Sequence, residues 1–360
     1  MARIGVNALY LIPGGVGGTE IYLRELLAAL ARIDFENEYF VFTNRETGAD
    51  LTPRRDNFHG KPQAVSAKSR PLRIAWEQTI LPLEVLRLKL DVLLNPGFTA
   101  PILTSCPCVT VFHDLQHQRH PEYFRWFDLP FWRFFLWASV HRAARIVAVS
   151  DATRADLLRL YRLPAGRIHV VHHGVDPALF DLRRERVERF VLCVSTLHPH
   201  KNIDRLIRAY AREKRDYKLV LAGMRGFHAD AIERLIFELD VRERVTLTGW
   251  ISRAKLYDLY DRALACIYPS TFEGFGMPVL EAMAAGVPLA CSEIPPLREV
   301  AADAALYFDP LDENALAAAL ARIIRDEPLR TQLSREGRDR ARSFTWERAA
   351  RETLNVLLTK

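Results

Sequence analysis

The amino-acid sequence predicts an α/β protein made of two doubly wound parallel-sheet domains that face a cleft. Three observations carry this expectation. The chain has 360 residues, 49% of them hydrophobic and 26% charged, which is too long for one ordinary core and normal in charge for globular domains. Short apolar runs alternate with amphipathic helical stretches in the first half, and the same alternation begins again at Phe190. The apolar runs of the first half each stop at a polar or turn residue, and in a parallel sheet such carboxyl ends face the ligand crevice.

In order along the chain, Ile4 to Tyr10 reads as a buried strand, followed by a glycine loop and an amphipathic helix from Thr19 to about Ile33. Tyr39-Phe40-Val41-Phe42-Thr43 is the next strand. Residues 45–72 are rich in Arg, Pro, Gly and Ser and read as a mobile loop. Further strands are read at 91–94, 107–112 and 146–149, ending at Asn95, at His113-Asp114 and at Ser150-Asp151. The segment Val170-Val171-His172-His173-Gly174-Val175-Asp176-Pro177 closes this series as a turn, and the charged stretch 181–189 reads as a linker. The second series has strands at 190–195, 218–222, 245–248, 265–268, 288–291 and 305–308, with helices between them. The last stretch, Phe344-Thr345-Trp346 to Leu358, reads as one more helix, with Thr345 placed to cap it. The expected organisation is a first domain over 1–175, a linker over 176–189, a second domain over 190–343, and a helix over 344–360 returning to the first domain.

The formal charge of +6 and a pI near 9.1 suit an anionic partner such as a nucleotide diphosphate, a nucleic acid or an anionic membrane surface, or mark an Arg-rich but ordinary surface. Charge alone supports nucleic acid, so no partner of that kind is expected. Of the five cysteines, three lie in apolar runs, and Cys106-Pro107-Cys108 has no partners at zinc spacing. No structural metal and a reducing compartment are expected. The chain enters a strand at Arg3 without a secretory leader, and it has no run of about 18 apolar residues. A cytoplasmic location is expected, with contact at the inner face of the membrane as an open alternative.

The most specific segment is Tyr268-Pro269-Ser270-Thr271-Phe272-Glu273-Gly274-Phe275-Gly276-Met277-Pro278-Val279-Leu280-Glu281, continuing to Gly286-Val287-Pro288. A strand ends at Tyr268, and Gly274 and Gly276 let the backbone come close to a ligand. Pro278 suits the first turn of a helix and Gly286 its end. The start of such a helix offers unpaired N–H groups and a positive dipole end to a phosphate. Glu273 before the helix and Glu281 one turn inside it supply two carboxylates for sugar hydroxyls.

Glu273 through Glu281 resembles the E-x7-E motif of family 4 glycosyltransferases, and the flanks 282–288 and Glu293-Ile294-Pro295-Pro296-Leu297-Arg298-Glu299-Val300 are similar to that family as well. The resemblance covers most of the chain. It implies the GT-B fold of two Rossmann-like domains and a retaining transfer from a nucleotide sugar. It also implies that Glu281 binds the ribose, that Glu273 contacts the donor sugar, and that Phe275, Gly276 and Met277 belong to the donor-binding turn.

The loop Gly14-Gly15-Val16-Gly17-Gly18-Thr19-Glu20 lacks both the dinucleotide fingerprint and the P-loop lysine. It reads either as an anion nest at a helix start or as a flexible turn. By resemblance, Gly15, Gly17 and Gly18 face the donor phosphates. Lys201, in Ser195-Thr196-Leu197-His198-Pro199-His200-Lys201-Asn202, is a point charge suited to a departing diphosphate. The family usually has an arginine shortly before this lysine. Here that region reads Ser195, Thr196 and Leu197, His200 stands where the arginine is often found, and Arg205 is the candidate substitute. His113, at the end of a strand, is matched by a family histidine near the transferred sugar and the acceptor, with Asp114 and Trp76 as weaker acceptor-side candidates. His172-His173 reads as a turn, not a metal site.

The aromatic segment 124–137, with Asp128 and Pro130 at a helix start, reads either as a buried helix or as an interfacial one. In the interfacial reading Arg125 and Arg133 lie near lipid head groups. Similarity through Trp76-Glu77-Gln78, His113-Asp114-Leu115 and 196–202 is to bacterial mannosyltransferases of polysaccharide and O-antigen synthesis. The resemblance therefore implies GDP-mannose as donor, with a UDP-sugar for glucosyl or N-acetylglucosaminyl transfer as the alternative. The acceptor is expected to be a saccharide or a lipid-linked saccharide, with no cofactor and no metal. A UDP-sugar epimerase and a noncatalytic nucleotide-sugar-binding subunit remain alternatives on the same scaffold.

Overall fold

A computed structural model describes all residues except 16, 125, 127, 128, 214, 215 and 360. The chain divides into two compact units, residues 1–174 with 346–360 and residues 175–345. The expected cap Asp128 and the head-group contact Arg125 lie outside the described residues.

The first unit contains β1 (Arg3–Asn7), α1 (Gly18–Ile33), β2 (Glu38–Thr43), β3 (Phe58–Pro62), α2 (Arg70–Arg87), β4 (Val92–Asn95), β5 (Cys108–Phe112), α3 (Gln116–Arg119), α4 (Leu129–Arg142), β6 (Arg145–Ala148), α5 (Asp151–Tyr161) and β7 (Ile168–Val170). Its strands form one parallel sheet in the order β3-β2-β1-β4-β5-β6-β7. The second unit contains β8 (Phe190–Val194), α6 (Ile203–Ala211), β9 (Lys218–Ala222), α7 (Ala229–Glu238), β10 (Val245–Gly249), α8 (Arg253–Arg262) and β11 (Ala265–Tyr268). It continues with α9 (Met277–Ala284), β12 (Leu289–Ser292), α10 (Pro295–Ala301), β13 (Leu306–Phe308), α11 (Glu313–Arg325) and α12 (Glu327–Ala341). Its parallel sheet runs β10-β9-β8-β11-β12-β13. In each sheet the strand order reverses once, between β1 and β4 in the first and between β8 and β11 in the second. The carboxyl ends of those strands are where doubly wound folds bind ligands.

The central strands are apolar on both faces because helices cover both sides. Ile4, Val6, Val111 and Val147 are fully buried in one sheet, and Val191, Leu192 and Ala290 in the other. The final helix α13 (Trp346–Leu358) belongs to the first unit, where it packs on α1. Trp346 lies 6.1 Å from Tyr22, ring centre to ring centre, and Arg32 pairs with Glu347 at 2.7 Å. All five cysteines are free and buried. Among the described residues no helix is long and apolar enough to cross a membrane.

Three expectations need correction. Residues 45–72 are not one mobile loop: they hold β3 and the start of α2. The strand Phe-His-Gly-Lys-Pro lacks alternating apolar residues because it is an edge, paired only with β2 and ending at Pro62. Strand β7 likewise has no counterpart among the expected strands, being a three-residue edge at the point where the apolar pattern fades. The stretch 176–189 is not a free linker either. It belongs to the second unit, and Arg184 fastens it, its backbone N–H on Asp261 at 2.8 Å and its guanidinium on the carbonyls of Tyr260 and Ala263 at 2.7 Å.

Candidate functional site

In the second unit the residues of greatest chemical interest gather outside the ends of β8 and β11. Strand β11 ends at Tyr268, and the turn that follows presents Glu273. The carboxylate is nearly buried, yet it is surrounded by donors. Its Oε1 accepts from Lys201 Nζ at 2.6 Å, Ser270 Oγ at 2.6 Å and the Tyr268 hydroxyl at 2.7 Å. Burial pushes this carboxyl's pKa up, but the Lys201 charge and these hydrogen bonds outweigh it and hold the group below the ordinary range. Oε2 makes no hydrogen bond among the described residues. Glu273 is thus a fixed carboxylate with one oxygen saturated and one available.

Lys201 reaches this point from a single turn of 3-10 helix, Pro199–Lys201, that Asn202 ends in a left-handed conformation at φ 58°. Asn202 is buried and donates to the carbonyls of Pro269 and Pro310 at 3.0 and 2.8 Å, which ties the Lys201 turn to the Glu273 turn. Arg205 Nη1 supports the same joint, donating to Asn202 Oδ1 at 3.0 Å. His200 is buried, and burial and the neighbouring Lys201 charge lower the pKa of His198.

Helix α9 begins at Gly276, whose φ of 107° and 2.4 Å approach of an added Cβ to Leu297 Cδ2 leave room only for glycine. Pro278 sits in the first turn and Gly286, at φ 70°, follows the last. Glu281 lies on the helix, buried. Its Oε2 accepts from the Tyr260 hydroxyl at 3.1 Å, and burial lifts its pKa to about 7. Oε1 makes no hydrogen bond among the described residues. The side chain of Phe275 is buried against Phe344, ring centres 6.1 Å apart, so this residue offers a ligand its backbone alone; Met277 is half-buried.

In the first unit, His113 follows β5 and is packed among rings, 4.8 Å from Tyr22, 5.3 Å from Phe98 and 5.6 Å from His173. Its Nε2 bonds the Pro96 carbonyl at 2.9 Å. A carbonyl only accepts, so Nε2 carries the proton and Nδ1 is the acceptor. Burial lowers the pKa to about 4, leaving the ring neutral at physiological pH. His172-His173 lies in an irregular segment, with no turn where one was expected, and His173 is tilted against Tyr22 at 4.9 Å. Asp114 Oδ1 accepts from the Gln116 N–H at 2.9 Å and opens α3. Trp76 packs on the core beside Leu81 and donates its indole N–H to Gln63 at 3.0 Å.

The glycine loop precedes α1. Gly14 and Gly17 have φ of 69° and 59°, and a Cβ added at Gly14, Gly17 or Gly18 would meet nothing within 4 Å. The loop is therefore open, but not every amide is free. The Gly14 N–H donates to Glu20 Oε2 at 2.7 Å and the Gly15 N–H to the Ile12 carbonyl at 2.8 Å. Gly17 and Gly18, at the start of α1, are the better placed pair.

Among the described residues no group of three His, Cys, Asp or Glu side chains is arranged to hold a metal ion.

Two family profiles match consecutive stretches of the chain, the Glycosyltransferase Family 4 profile over residues 16–179 and the Glycosyl transferases group 1 profile over residues 178–340. The chain is 33% identical over 264 residues to the O-antigen chain mannosyltransferase B of Escherichia coli, a match covering 69% of each protein. The chain belongs to glycosyltransferase family 4. It is also 32% identical to the O-antigen chain mannosyltransferase RfbU of Salmonella typhimurium over 62% of each chain. Its fold is like that of the sucrose-phosphate synthase from Thermosynechococcus elongatus, with a TM-score of 0.81 at 22% identity over 99% of this chain and 98% of that one. This glycosyltransferase therefore has the GT-B fold that its sequence implied.

The glycosyltransferase brings Lys201, Arg205 and Glu273 into one cluster of the second unit. Glu281 has a separate set of partners there. Sequence reasoning does not reach Tyr260, Tyr268, Ser270 and Asn202 as members of the site. Tyr268 and Ser270 flank the motif, and that proximity is a signal that could have found them. Tyr260 lies on α8, an ordinary amphipathic helix with no local signal. Asn202 shows itself only through its left-handed conformation.

Proposed function

We propose that this glycosyltransferase moves a hexose with retained anomeric configuration, and that the donor is GDP-mannose. The acceptor is a hydroxyl of a saccharide or a lipid-linked saccharide. The similarity to two O-antigen mannosyltransferases supports the sugar. The observation that carries the reading is the state of the two motif carboxylates. Each has one oxygen engaged by the protein, Glu273 by Lys201, Tyr268 and Ser270 and Glu281 by Tyr260, and one oxygen open.

In the proposed mechanism Glu281 accepts from the ribose hydroxyls and Glu273 from a hydroxyl of the sugar. Lys201, the start of α9 at Gly276 and Met277, and the Gly17 and Gly18 amides stabilise the departing diphosphate. Preorganised charge stabilisation of this kind supplies most of the rate enhancement in many enzymes. The C1–phosphate bond breaks while the bond from C1 to the acceptor oxygen forms on the same face. The acceptor proton goes to the leaving phosphate oxygen, so no second carboxylate is needed as nucleophile. Neutral His113 orients a sugar or acceptor hydroxyl through Nδ1. Trp76 and Asp114 have structural partners and are assigned only minor acceptor roles.

The test is turnover with GDP-mannose and with UDP-glucose against a lipid-linked saccharide, with the product anomer read by proton NMR. Mannosyl transfer with retention is expected, falling on the order of a hundredfold or more in Glu273→Ala. An inverted product, or undiminished transfer in Glu273→Ala, contradicts the mechanism. Transfer from UDP-glucose alone contradicts the donor.

A further inference from the structure

A helix on the surface of a protein in water turns its apolar stripe inward. Helix α2 does so with Ile74, Leu81 and Val85, beside the buried Arg73 and Glu77, yet it leaves Leu72, Leu83 and Leu86 64%, 61% and 60% exposed. Helix α4 buries Leu136, Ala138 and Val140 but leaves Phe131, Phe134 and Trp137 outside at intervals of three residues. Exposed apolar side chains in contiguous patches mark contact sites.

The two helices are joined to each other and to one loop. The Arg70 guanidinium lies 4.6 Å from the Trp132 ring centre, linking the start of α2 to α4. Gln78 of α2 holds the loop after β4 by the Ala100 carbonyl at 3.0 Å and the Ile102 N–H at 2.9 Å. The same loop is held from α4, by Ser139 Oγ on the Ala100 N–H at 2.9 Å and by Arg142 Nε on the Ile102 carbonyl at 3.1 Å. Leu103 projects from this loop, 69% exposed. Around the apolar residues stand the exposed cations Arg70, Arg87, Lys89, Arg133 and Arg142. Helix α4 contains no acidic residue, and Glu84, half-buried on α2, is paired with Arg87 at 3.1 Å.

We propose that the first unit docks on an anionic lipid bilayer through the outward faces of α2 and α4 and the Leu103 loop between them. Aromatic and leucine side chains enter the head-group boundary while the arginines meet lipid phosphates, the arrangement by which amphipathic helices lie in an interface. The occupant follows from charge. A cation-rimmed apolar face complements an anionic bilayer, whereas a second copy of the same face would set arginine against arginine. The proposal does not depend on the donor assignment and agrees with a lipid-linked acceptor.

The test uses the full chain without nucleotide, sedimented with vesicles of phosphatidylcholine or of equal parts phosphatidylcholine and phosphatidylglycerol. Binding to the anionic vesicles is expected, weakened by salt. It should drop about tenfold or more in Phe134→Ser/Trp137→Ser and again in Leu83→Ser/Leu86→Ser. Both variants alter exposed residues, and an unchanged melting curve separates lost docking from lost folding. Equal binding to both vesicle types, or loss in the α4 variant without loss in the α2 variant, overturns the two-helix surface. A dimer in light scattering that either variant returns to monomer identifies a second copy as the occupant and overturns the bilayer.

Discussion

At Glu281, which we propose accepts from the donor ribose, the burial that shields the carboxylate from water also disfavours its charge. Its pKa stands near 7 against an ordinary 4.5, so the folded state holds the proton more tightly than the unfolded chain does. The group's contribution to stability is therefore complete below pH 4.5, declines between 4.5 and 7, and is lost above that. Glu281→Gln, which cannot ionise, should be more stable than wild type above pH 7, by up to about 3 kcal/mol, with the difference vanishing toward pH 4.5. Urea unfolding across this range checks it, and a variant less stable at every pH would rule out a destabilised carboxylate. Glu273 is the opposite case. It is also buried, but Lys201 and two hydroxyls keep it charged. Both glutamates can be read from the sequence because their spacing and the neighbouring glycines are a local pattern. Their contrasting states cannot, because Tyr260 and Lys201 arrive from sequence positions 21 and 72 residues away.

At the scale of elements, α9 depends on one glycine. Gly276 needs φ 107° and space beside Leu297, whereas Gly18 at the start of α1 has nothing near an added Cβ. Gly276→Ala should cost about 2 kcal/mol or more and weaken nucleotide binding. Gly18→Ala should leave stability within about half a kcal/mol and act on turnover alone. Thermal melting with and without nucleotide separates the two, and equal losses in both would refute the distinction. The central strands and α9 are legible in the sequence because apolar runs, turn glycines and a proline in the first helical turn, here Pro278, are all short-range signals. Strands β3 and β7 are not, since an edge strand is stabilised by its neighbour's backbone and needs little apolar pattern of its own.

Across the whole molecule, two sheets of the same winding each reverse strand order once, and each reversal collects polar residues. In the first unit Asn7 donates to Asn95 at 3.0 Å and to Glu77 at 3.1 Å, at the ends of β1 and β4. In the second, Lys201 and Glu273 meet beyond β8 and β11. The doubled alternation makes this architecture readable, and the return of α13 to the first unit is expected on resemblance. The outward leucines of α2 are not legible, because a helix of mixed polarity does not reveal from sequence which face is covered. The most direct measurement of the central claim, that Glu281 holds the donor nucleotide, is calorimetric titration of wild type and Glu281→Gln with GDP and UDP at about pH 8. Wild type should bind GDP, and the variant, though it melts higher, should bind about tenfold more weakly, because a charge-assisted hydrogen bond has become a neutral one. Equal affinity in the two proteins, or no nucleotide binding by well-folded wild type, would contradict the account.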